Sequence, residues 1–72
     1  MSTVDELMEQ AFERPRDPRS PEYKAGVRAA LEYRQHGKGI QNPYPAASAA
    51  SDAFYAGTTE GHAIWRRMHD PD

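Results

Sequence analysis

Two stretches decide the fold: SPEYKAGVRAA at residues 20–30 and SDAFYAGTTEG at residues 51–61. Ser20, Tyr23, Ala25, Gly26 and Ala30 align with Ser51, Phe54, Ala56, Gly57 and Gly61, a shared pattern of Ser-x-x-aromatic-x-Ala-Gly-x-x-x-small at an offset of 31 residues. Each stretch sits in a run whose apolar residues recur every three or four positions, which predicts a helix. Glycine inside a helix costs about 0.5–1 kcal/mol relative to alanine. Gly26, Gly57 and Gly61 accept that cost, so another term must offset it. Close backbone approach is the physical candidate. Two helices that face each other with small residues can cross tightly, and the aromatics one turn earlier then flank the crossing. The expected fold is all-α: a helical hairpin of two main helices, about 20–37 and 47–68.

The boundaries follow from local chemistry. Ser20 suits an N-cap and Pro21 the first helical position, where its missing N–H is not needed. Tyr23, Val27, Ala30 and Leu31 form the apolar stripe of this helix, and Gly37 is a natural left-handed stop. Asn42-Pro43-Tyr44-Pro45 holds an extended path into the next helix, which begins between Pro45 and Ser51. There Phe54, Gly57, Gly61, Ile64 or Trp65, and Met68 give the stripe. Trp65 is expected to complete it. Tyr44 has two open readings: it folds back over the seam, or it is an exposed anchor.

A third, shorter helix is expected at the N-terminus, about 3–14. Thr3-x-x-Glu6 has capping-box spacing. Val4, Leu7, Met8, Ala11 and Phe12 make one apolar stripe. A helix this short is marginal alone, so the stripe must pack on something. Pro15 and Pro18 end it, leaving Arg14 to Arg19 as a basic extended linker. The chain thus divides into an N-terminal helix with linker (1–19) and the hairpin (20–69) of one small domain.

Seventy-two residues make one domain with a thin core, and the absence of cysteine removes disulfides, thiolate metal sites and a cysteine nucleophile. No stretch approaches the roughly 18 apolar residues of a membrane span. The acidic first ten residues lack the pattern of a secretory signal. A soluble, cytoplasmic protein is expected, with no membrane partner. The net charge of -2 conceals a division. Asp5, Glu6, Glu9 and Glu13 face no base in residues 1–13. Arg14, Arg16, Arg19, Lys24, Arg28, Arg34 and Lys38 then outnumber Asp17, Glu22 and Glu32, and the remainder is acidic again.

No constellation has catalytic spacing. There is neither a phosphate-binding glycine loop nor a Ser-His-Asp context. His62 and His69 lie two turns apart, too far to share an ion without a further ligand. The expectation is a non-enzymatic protein with no metal, no cofactor and no small-molecule substrate, its histidines solvated.

The segments Tyr23-x-Ala25-Gly26-Val27, Pro43-Tyr44 and Phe54-x-x-Gly57-x-x-Glu60-Gly61 resemble, in that order, the ribosome modulation factor family. The likeness covers about Glu22 to Arg66. It implies a short two-helix protein that binds the small ribosomal subunit near ribosomal RNA, modulates translation and promotes inactive ribosome pairs during starvation (ribosome hibernation). Two departures stand out. Thr58 replaces the family's second aromatic, and the N-terminal helix is acidic where the family is basic. Phosphate contacts carry much of the affinity for RNA, so this charge balance predicts weaker, salt-sensitive binding.

Two functional expectations follow. For a ribosome-associated, RNA-binding regulator, the phosphate contacts would be Arg14, Arg16, Arg19, Lys24, Arg28 and Lys38, with Tyr44 as a stacking residue. For a protein–protein interaction module or phage-type inhibitor, Val4, Leu7, Met8, Ala11 and Phe12 would dock on a host protein or on a second copy of the chain as a homodimer.

Overall fold

The structure, a computed structural model, describes residues 3–12 and 20–69, the side chains of Ala11 and His69 excepted. Among these residues the chain forms α1 (Val4–Phe12), α2 (Pro21–His36) and α3 (Ala49–His69). The all-α architecture of a helical hairpin with a short N-terminal helix is the one expected.

Each helix begins where side-chain chemistry satisfies its free N–H groups. At α1 the capping box closes in both directions. The Thr3 N–H donates to Glu6 Oε1 at 2.8 Å, and the Glu6 N–H donates to Thr3 Oγ1 at 3.1 Å. At α2, Ser20 Oγ accepts from the Tyr23 N–H at 3.1 Å and Pro21 takes the first turn. Gly37 closes α2 in the left-handed region, at φ 74°, with its N–H on the Tyr33 carbonyl at 2.9 Å. No side chain hinders that conformation in glycine.

α3 begins at Ala49, inside the expected interval from Pro45 to Ser51 and just past the approximate bound of 47. Ala47 has φ 63°, which no α-helix accommodates. Ser48 is the cap instead: its Oγ accepts from the Ser51 N–H at 3.0 Å and its own O–H donates to the Pro45 carbonyl at 2.6 Å. The repeat therefore departs from symmetry here, since Ser20 caps its helix while Ser51 is buried within the first turn. Asn42 accounts for that burial, donating from Nδ2 to Ser51 Oγ at 2.8 Å. Its Oδ1 accepts from the Tyr44 N–H at 3.0 Å. One asparagine thus ties the connecting segment to α3.

The crossing of α2 and α3 is the centre of the molecule. A Cβ on Gly26 would collide with the Phe54 carbonyl, and one on Gly57 with the Tyr23 carbonyl. Tyr23 and Gly26 correspond to Phe54 and Gly57 in the repeat, so the contact is reciprocal, as across a pseudo-twofold axis. Gly61 continues it: a Cβ there would lie 2.6 Å from the Ala30 Cβ and 2.7 Å from the Val27 carbonyl. The contacts advance in the same sense along both helices, from Gly26 with Phe54 to Ala30 with Gly61. That sense requires the connecting segment to return along α2. Gln41 and Pro43 accordingly border one cleft with Ala25, Arg28 and Phe54.

Val27 and Leu31 of α2 and Ile64 of α3 form the core with Val4 and Leu7 of α1. Tyr23, Met8, Phe12 and Trp65 pack around it. Phe54 is buried at the crossing, and the half-buried Tyr44 meets it edge-on at 6.0 Å, which settles that Tyr44 folds back over the helix pair. Among the described residues no helix is long and apolar enough to cross a membrane.

Candidate nucleic-acid interface

The structure separates the expected phosphate contacts. Arg14, Arg16 and Arg19 lie outside the described residues. Lys24 is exposed on α2, with its Nζ 5.5 Å from the centre of the Phe12 ring. Lys38 is exposed just beyond the end of α2. Arg28 does not offer a free guanidinium. It is held by Asp5 of α1 at 2.7 Å and by Glu32 one turn along α2 at 3.6 Å. The physical reason is the docking of α1, which brings an acid from the first turn of one helix onto the basic face of the next. Tyr44 remains half-exposed, with Phe54 covering part of its ring.

The expected partner-docking stripe is occupied within the chain at Val4 and Leu7. Val4 is 4% exposed and Leu7 2%, both against Val27, Leu31 and Ile64. Phe12 lies edge-on to Tyr23, with ring centres 6.4 Å apart. A helix of nine residues has too little stability of its own to stand free, so it surrenders its apolar face to the core. Val4 and Leu7 are therefore core residues and present no docking surface. Met8 and Phe12 pack at the margin, and the Ala11 side chain lies outside the description.

A further basic group appears where sequence reading placed none. Arg34 Nε donates to His62 Nδ1 at 3.0 Å, joining the last turn of α2 to α3. Arg66 follows one turn after His62 on the same helix. Burial, then Arg34, then Arg66 hold the His62 pKa below the ordinary 6.5. An imidazole that accepts at Nδ1 is the neutral tautomer with its proton on Nε2. Tyr33, 47% exposed, meets the His62 ring edge-on at 6.2 Å. His62 is therefore engaged, where a solvated histidine was expected. Sequence alone carried no signal for this group, because Arg34 and His62 meet only through the register of the crossing.

A cleft of about 310 Å³ lies between α1 and α3, with Leu7 and Ile64 at its base and Gln10, Glu60, Arg67 and Met68 around it. Arg67 is paired with Glu60 at 3.5 Å across its rim. Compared with protein-family models, with curated proteins and with solved structures, the chain matches none.

Proposed function

We propose that this protein is a non-enzymatic, RNA-contacting regulator of translation, of the ribosome modulation factor type, acting in the cytoplasm. The observation that carries the reading is the glycine crossing. Tyr23, Gly26, Phe54, Gly57 and Gly61, five of the residues of the resemblance, meet at the contact between α2 and α3. The resemblance is thus concentrated where backbone geometry demands particular residues, which supports the reading. Around that crossing, Lys24, Lys38, Arg34 and Arg66 are exposed bases for which no carboxylate partner is found among the described residues. Such groups suit the phosphates of a structured RNA. The alternative of a protein-docking module is less favoured, since Val4 and Leu7 of the stripe it needed are core.

Cosedimentation with ribosomes at low and moderate salt tests the proposal. Association that weakens steeply as salt rises is expected, because phosphate contacts release condensed counterions. Absence of association at every salt concentration overturns it.

A further inference from the structure

We propose that Arg34, His62 and Arg66, with Tyr33 beside them, form a site for one stretch of single-stranded RNA at the C-terminal ends of α2 and α3. This rests on the RNA-binding reading above and specifies where on the molecule the RNA is held.

The argument begins with pairing. Arg28 and Arg67 are neutralised by carboxylates, whereas among the described residues Arg34 and Arg66 have none. Arg34 spends its Nε on His62, and among the described residues its terminal Nη groups have no carboxylate partner. Arg34 of α2 is thus bonded to the His62 imidazole, and Arg66 lies one turn beyond that imidazole on α3, with no carboxylate on either arginine among the described residues. An anion seated beside them is attracted by both charges. Guanidinium forks match phosphate oxygens in pairs, which makes phosphate the natural anion.

Helix C-termini also attract bases without any ligand, and both arginines lie in last turns. That effect explains each arginine alone. It does not explain why Arg34 is bonded to His62 of the other helix, nor why a half-exposed tyrosine stands against the same ring. An aromatic beside a phosphate site is the pairing that single-stranded RNA uses, its base stacking while its backbone is neutralised. Tyr33, Arg34 and Arg66 are all exposed, which suits a strand passing over them better than a small metabolite.

The test is fluorescence anisotropy of a labelled oligouridylate, with the full chain, over about 50 to 200 mM salt. The double variant Arg34→Gln/Arg66→Gln is expected to raise Kd at least tenfold. It should also flatten the log–log salt dependence by about 1.4, the value for two phosphate contacts on a single strand. Tyr33→Ala should weaken binding about tenfold at unchanged slope. Circular dichroism confirms that each variant keeps its helices. Unaltered affinity in the folded double variant overturns the site, as does failure of the wild type to bind the oligonucleotide. Equal occupancy by inorganic phosphate at matched phosphate concentration overturns the assignment to RNA. Ribosome cosedimentation of the same samples separates the two claims: if it persists while the site fails, the regulator stands without this contact, and if both fail, so does the regulator.

Discussion

At Gly57 the obstacle to any side chain is the backbone carbonyl of Tyr23, and no rotamer change moves a carbonyl. Gly57→Ala must therefore push α2 and α3 apart or fail to fold. Overpacking of a close core costs typically 1–3 kcal/mol, and the upper half of that range is expected, about 2–3 kcal/mol by urea denaturation. Gly39→Ala is the control, because nothing lies within 4 Å of a Cβ there, so a change of less than about 0.5 kcal/mol is expected. His62 sets a second expectation. Its folded pKa lies below 6.5, so above that value the imidazole is neutral in both folded and unfolded chains and contributes no pH dependence. Below 6.5 the unfolded chain takes up a proton that the folded chain resists. Stability attributable to His62 is thus complete above 6.5 and declines as pH falls through the lower folded value. The urea midpoint should drop on acidification, and by less in His62→Gln. A wild-type decline no larger than the variant's contradicts the assignment. Sequence foretold the glycines and missed the histidine for one reason. A mid-helix glycine is anomalous wherever it stands, whereas a histidine acquires its environment from residues 28 positions away.

Helices were legible where their determinants are local. The Thr3–Glu6 box, the Ser20-Pro21 start and the Gly37 stop each involve residues within one turn of chain, and each is formed. The start of α3 was less legible, because alanines at residues 46, 47, 49 and 50 carry equal propensity. The positive φ of Ala47 and the bond between Ser48 Oγ and the Ser51 N–H mark the first turn. The role of α1 was not decidable from its stripe, since an amphipathic face packs equally well on its own core or on a partner. Its packing against Val27, Leu31 and Ile64 answers that question and makes α1 the element held by the fewest neighbours. Leu7→Ala should cost about 2–4 kcal/mol, as for other buried leucines, if α1 unfolds only with the rest. Should α1 detach locally instead, the measured loss is smaller, and amide exchange rises over residues 4–12 while the α2–α3 crossing stays protected. Uniform acceleration throughout the chain would show that α1 is not a separable unit.

Across the whole molecule, the division of charge along the chain becomes a contact in space. The acidic first helix lies on the basic second one, and Asp5 with Arg28 joins them at 2.7 Å. Both side chains are substantially exposed, so the pair contributes little to stability, on the order of 0–1 kcal/mol. Its larger consequence concerns the proposed RNA contact. A carboxylate resting on Arg28 competes with phosphate for the same guanidinium, and the net charge of -2 adds a general repulsion. Asp5→Asn removes one competitor and one negative charge while keeping the side-chain volume. Its melting temperature should stay close to wild type, and its affinity for RNA should rise severalfold at low salt. The gain should shrink as salt rises, because a released Arg28 adds a phosphate contact and steepens the salt dependence by about 0.7 for a single strand. Arg28→Gln in the Asp5→Asn background supplies the decisive arm. If the gain comes through Arg28, the double variant loses it; if it survives there, it reflects net charge alone, and the acidic helix does not govern access to that arginine.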